Sequence, residues 1–282
     1  MQSSNPVFAR SEGFNGRGSS RTYAGNGMSY PAYGSPQTDP STWGTGSTQA
    51  PVDQGRMTLD SVVQKTGITL GLVVLSAAVT WFLTGDPADP DAARTLMTLW
   101  MGGAFAGLGL ALVLSFKRAI SPGLVLAYAV VEGVFVGAMS KYFEAVFGDG
   151  IVVGAVLGTV AAVAGTLAAY KFFNIQVTPK FRKFVVAAMF GFVALVLLDF
   201  VLSFFGAEIG FNNFGMLGLI MSVVGLGIGV LMLILDFDFV ERGVAAGLPE
   251  VESWRAAFGL TVTIIWIYIE ILRILAILRG SD

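Results

Sequence analysis

This chain predicts an all-α, polytopic membrane protein: a seven-transmembrane-helix bundle carrying a disordered N-terminal tail. Three observations lead there. Of its 282 residues, 54% are hydrophobic and 13% charged, with a mean hydropathy of +0.72, a balance foreign to ordinary soluble domains of this length. Seven apolar runs reach the length of about 20 residues that a helix needs to cross a bilayer, and helices satisfy their own backbone polar groups there. Finally, residues 1–57 are rich in Gly, Ser, Tyr, Asn and Pro and lack apolar periodicity, so they cannot bury enough surface to offset chain entropy.

The tail, 1–57, is therefore expected to be a solvated segment, and 58–282 the membrane domain. No apolar core follows a basic start, so the tail does not resemble a signal peptide. The spans are expected at 66–84, 95–116, 122–147, 151–173, 184–205, 216–239 and 256–278. The connection at 85–94 is acidic, and those at 148–150 and 206–215 contain no Lys or Arg. Lys117 and Arg118, then Lys171, Lys180, Arg182 and Lys183, then Arg242 and Arg255 occupy the alternate connections. By the positive-inside rule the N-terminus is expected to be cytoplasmic and the C-terminus outside, with Arg279 a weak exception.

Small residues line the spans: Gly102, Ala106 and Gly109; Gly133 and Gly137; Gly154, Gly158, Ala161, Gly165 and Ala169. Lipid gives helices no hydrophobic drive to associate, so close backbone approach along such stripes is the expected glue. In the sixth span Gly218, Ser222, Gly225 and Gly229 form one stripe, and Asp236 continues it; Gly227 points away.

The absence of Cys and His removes disulfides, thiolate chemistry, Ser/His and Cys/His dyads and the usual zinc ligands. A net charge of −2 gives no basic field for nucleic acid. The Gly-x-Gly-Asp sequence of presenilin-type aspartyl proteases is also missing, so no enzyme is expected and no cofactor is implied. What stands out is acids in apolar runs. A carboxylate at the bilayer centre costs about 2.5–3.5 kcal/mol on insertion scales, so Asp236 and Glu270 should face protein or water. Arg273 lies one turn from Glu270, on a face shared with Thr263 and Trp266, and a purely local Glu270–Arg273 pair is the plainer alternative. Glu132 and Asp199 lie within the third and fifth spans; they either line an ion path or stay neutral and bonded to a helix carbonyl. Asp238 and Glu241 are expected to reach solvent at the membrane boundary, and Lys141 and Glu144 to be interfacial. Two close carboxylates share a proton, which makes a pH switch without histidine, and the same oxygens suit Ca²⁺.

The turn into span three (FKRAISPGLVLAYAVVEGVFVG), the acid closing span six (LILDFDFVERG) and the late acid in span seven (IIWIYIEILRILAILRG) together resemble the Bax inhibitor-1/YccA membrane-protein family, over roughly Gln64 to Gly280. The resemblance implies a bundle around a central last helix and a pH-sensitive calcium leak; eukaryotic members suppress cell death, and one bacterial branch modulates a membrane protease. It implies that Asp236 and Glu270 form a proton-sharing gate, the second being Glu where Asp is usual, and that they are the carboxylates to bind Ca²⁺. An arginine of span two that locks the pair in some members has no aligned counterpart, and Lys117 or Arg118 could substitute. The connection ERGVAAGLPEVESWRAAFG looks long, with Pro249 placed to begin a surface helix. The NPVFARSEGF start resembles the actinobacterial branch and suggests a bacterial plasma membrane.

The leading functional expectation is a proton-gated cation leak, with the bilayer, Ca²⁺ and protons as partners. The alternative is a non-transporting regulator that binds a membrane protease or another membrane protein.

Overall fold

Local chemistry sets where the helices begin. Thr58 opens α1 (Leu59–Leu83) with a capping box: its hydroxyl accepts the Ser61 N–H, and the Ser61 hydroxyl accepts the Thr58 N–H. Proline occupies the first position of α2 (Pro90–Phe116), α3 (Pro122–Phe147) and α5 (Pro179–Ser203), where its missing N–H leaves no bond unmade. α4 (Ile151–Phe172), α6 (Met216–Ala245) and α7 (Glu252–Gly280) complete the set, and all seven are long and apolar enough to cross a membrane. The computed structural model describes residues 55–280 apart from Glu208 and Asn212. The expected disorder of the tail concerns residues that, as far as 54, lie outside that range.

α7 is the hub. It packs against α1, α3, α4 and α6, whereas among the described residues the backbone of α2 comes close only to α3 and that of α5 only to α6. The result is an all-α membrane bundle whose last helix is its most enclosed. Close contacts run through glycine: Gly133 and Gly137 of α3 sit against Ser76 and Ala77 of α1, Gly154 and Gly158 of α4 against Leu275 and Ile271 of α7, and Gly229 of α6 against Ile267 and Trp266. On α2 the expected stripe is displaced. Gly102 and Gly109 face open space, and Gly103 and Gly107 meet Phe135 and Glu132 of α3 instead. Gly165 of α4 likewise has no neighbour within 4 Å.

Hydroxyl pairs fasten α7 to its neighbours: Ser61 to Ser253 at 2.7 Å, Thr69 to Thr261 at 2.8 Å, and Ser140 to Tyr268 at 2.6 Å. The charged groups near helix ends act as caps. Lys141 donates to the carbonyls of Trp81 and Thr84, closing α1. Arg279 donates to the carbonyls of Gly148 and Asp149 at 3.0 and 2.9 Å, and Glu144 accepts the amides of Gly150 and Val152 at 2.5 and 3.0 Å. Between those caps the chain reverses in three residues, 148–150, which requires the positive φ of Gly148 (96°) and Gly150 (86°). Arg279, the exception to the charge pattern, is thus the cap of α3.

Five expected boundaries need correction. α1 starts at Leu59, α2 at Pro90 and α5 at Pro179, each a turn or more before its expected span. α6 continues to Ala245 and α7 begins at Glu252, so the connection is 246–251 and carries no surface helix. Apolar run length measures the hydrocarbon crossing, while helices continue into the polar interface. Nor does the membrane domain start at 58. Arg56 forms an antiparallel bridge with Pro249, Met57 N–H donates to the Leu248 carbonyl at 2.8 Å, and Glu250 N–H to the Gly55 carbonyl at 2.6 Å. Met57, 2% exposed, sits in a core cluster with Val62, Leu233, Val240 and Leu260. Its apolar side chain and two backbone bonds draw Gly55–Met57 into the bundle.

Candidate functional site

The peripheral placement of α5 leaves a cavity of ≈ 330 Å³ between α3, α5 and α7. α3 contributes Tyr128 and Glu132, successive on one face; α5 contributes Phe192, Val193 and its apolar neighbours; α7 contributes Trp266, Glu270 and Arg273. α7 delivers all three because positions 266, 270 and 273 repeat at helical spacing. The Trp266 indole donates to the Gly225 carbonyl of α6 at 3.0 Å and packs on Phe192, with ring centroids 5.6 Å apart.

Glu270 is 6% exposed and lies against Gly225, whose missing side chain makes room for the carboxylate. Ser222, one turn away on α6, points toward it but falls outside bonding geometry, so one Glu270 oxygen and the Ser222 hydroxyl have no hydrogen-bond partner. Arg273 interacts with both Glu270 and Asp199 and donates to the Phe211 carbonyl at 2.9 Å. The expected Glu270–Arg273 proximity is therefore present, and it extends across α5. Glu132 lies beside Tyr128 and against Gly107 of α2.

The expected pair does not form. Asp236 accepts the Thr263 hydroxyl at 2.6 Å and faces Gly259. Glu270 meets Gly225, eleven residues along α6 from Asp236, which is about 16 Å at 1.5 Å per residue. The two acids occupy different levels of the α6–α7 contact, so they can neither share a proton nor chelate one Ca²⁺. Among the described residues, no three acids gather as a metal site. Lys117 and Arg118 are exposed on the α2–α3 connection, where the Arg118 carbonyl accepts from Arg255, and neither has a bond to the inner acids. Arg273 is the cation within electrostatic range of Glu270, with no direct ion pair between them.

The remaining acids are held differently. Asp199, 3% exposed, accepts the amides of Ile209 and Gly210 at 2.8 and 3.2 Å; it organises the α5–α6 connection and is not a wall of the cavity. Asp238 does not reach solvent. It is 5% exposed and bound by Arg182 at 2.9 Å and Arg242 at 2.8 Å. Glu241 accepts the Tyr170 hydroxyl at 2.7 Å. Tyr128 and Phe192 are absent from the residues the sequence marks out. Tyr128 carries a readable signal, four residues before Glu132, while Phe192 belongs to an unbroken apolar run.

Fold and site define a class: a polytopic helical membrane protein with an acid-bearing cavity inside the bundle. A family model described as "Bax inhibitor 1 like" matches residues 5–280, nearly the whole chain. The chain belongs to the Bax inhibitor 1-like family. It is also similar to a protein of Chlamydia muridarum described as "Uncharacterized protein", with 30% identity over 177 residues that cover 61% of this chain and 71% of that one.

Proposed function

We propose that this protein is a proton-regulated cation leak, with Ca²⁺ as cargo, in which Arg273 plugs the cavity between α3, α5 and α7. The observation that carries the reading is the meeting of Glu132, Glu270 and Arg273 in one cavity within the membrane domain. Ionised Glu270 holds the guanidinium in the cavity by charge attraction. Protonating Glu270 removes that hold, leaving Arg273 to Asp199 and the Phe211 carbonyl. Glu132 then remains as the carboxylate that draws a cation in. Acidification therefore opens the leak, because it neutralises the anion that keeps the plug in place. The protein performs no chemical conversion in this scheme.

Ca²⁺ flux into proteoliposomes at about pH 6 and about pH 8 tests it, with Glu270→Gln and Glu132→Gln beside the parent at matched incorporation. Parent flux should be higher at the acid value, Glu270→Gln should leak at both, and Glu132→Gln should leak less at both. Flux unaffected by either change would remove the leak, and regulation of a membrane partner would take its place.

The membrane proposed is the bacterial plasma membrane, which the resemblance of the NPVFARSEGF start suggests, and a cytoplasmic N-terminus is supported by the distribution of Lys and Arg among the connections. The chain has no cysteine, so single cysteines at Asp91 and Lys117 report opposite sides to an impermeant maleimide. Labelling of Lys117→Cys in intact cells would reverse the orientation.

A further inference from the structure

The same cavity has a second property, which does not require ions to pass. At ≈ 330 Å³ it is within the size range of small-molecule sites, about 300–1,000 Å³. Its walls are mostly apolar and aromatic, yet two carboxylates, Glu132 and Glu270, and one guanidinium, Arg273, are among them. Glu270, more than nine-tenths buried, keeps one oxygen without a hydrogen bond. A buried unpaired acceptor is costly; that oxygen is closed off as the side chain stands, so a ligand's donor removes the cost by drawing the carboxylate round to it. Trp266 and Phe192, packed on each other, provide π faces of the kind that attract a cation. On the α5 flank, among the described residues, the α5 backbone comes close only to α6, and α5 meets α7 through the Phe192–Trp266 ring contact, so the side toward α3 is the one no helix–helix contact closes. A ligand dissolved in lipid can arrive from that side.

We propose that the cavity between α3, α5 and α7 binds a hydrophobic amine in its ammonium form, the N–H groups donating to Glu270 and the hydrocarbon body lying against Trp266, Phe192 and Val193. An acidic amphiphile fits less well, since its carboxylate would join two others with one arginine among them. A quaternary ammonium lacks the N–H that the unpaired oxygen accepts.

Calorimetric titration of the purified full chain in detergent with 1-adamantylamine, and separately with the neutral 1-adamantanol, tests this. The amine should saturate one site, and the alcohol should bind at least about tenfold more weakly, since its hydroxyl carries no charge to pair with the carboxylate. Glu270→Gln should lose at least about tenfold in amine affinity. Val193→Trp, which fills the cavity and leaves both acids in place, should lose binding as well, so the test survives a failure of the first variant to fold. Equal affinity for amine and alcohol, or unchanged amine affinity in a folded Glu270→Gln or Val193→Trp protein, overturns the proposal. Amine binding by a protein that carries no Ca²⁺ flux upholds this site and removes the leak; flux without amine binding removes this site alone.

Discussion

Asp238 and Glu270 are both buried carboxylates, each with an arginine nearby, and they are held in opposite ways. Asp238, near the end of α6, is bound at both oxygens, by two arginines that remain about half exposed, at 49% and 55%. Glu270, in the middle of α7, has one oxygen with no partner and an arginine shared with Asp199. Near a membrane boundary, long cationic side chains bury their stems and keep their heads in water, so an acid there is readily satisfied. Deep in the bundle no such reservoir exists, and an unsatisfied acid signals work other than packing.

The largest expected effect follows from breaking the Glu270 side of this contrast: Glu270→Gln should abolish the difference in Ca²⁺ flux between about pH 6 and about pH 8 by raising the higher-pH value. If the flux difference survives intact, Glu270 has no more role than Asp238. Breaking the other side should do the reverse. Asp238→Ala leaves Arg182 and Arg242 without their acid and should cost about 2–3 kcal/mol in detergent unfolding, less than a fully buried pair because both arginines can turn to water. The pH profile of flux should remain, and its loss would move the switch to the helix end. A third change sharpens the account of how Glu270 is seated. Gly225→Leu places a side chain where the Glu270 carboxylate and Phe192 lie, and should cost about 1–3 kcal/mol. Gly227→Leu, with nothing within 4 Å, should stay within about 0.5 kcal/mol. Equal losses would show that α6 tolerates neither. The smallest effect belongs to the cations that never reach the cavity: Lys117→Ala and Arg118→Ala should each shift stability by no more than about 0.5 kcal/mol and leave the flux profile unchanged.

The seven crossings were legible because hydrophobic run length is a property of sequence alone, and the centrality of α7 followed from the family resemblance. The separation of Asp236 from Glu270 is hidden in the sequence for a traceable reason. The apolar runs leave a long α6–α7 connection, and a long connection leaves the register of the two helices open. With the true turn at 246–251, reflection about residue 248 sets position 236 opposite 260 and position 270 opposite 226. Those are the levels at which Asp236 meets Gly259 and Thr263 and Glu270 meets Gly225. The convergence of Glu132 on Glu270 had no such arithmetic, since it depends on α5 standing off from α3, a tertiary fact without local signature. The start of α1 was available in Thr58 and Ser61, whose capping box precedes the strongly apolar residues.

Gly55–Met57 joins the chain to the α6–α7 turn before α1 begins. Mechanically this is an anchor point upstream of the first crossing. A pull on the chain ahead of Gly55 is borne first by the turn that joins the helices of Asp236 and Glu270, and only then by α1. A protein shortened to begin at Gly55 keeps that coupling, and one beginning at Thr58 gives it up together with the Met57 plug between α1, α6 and α7.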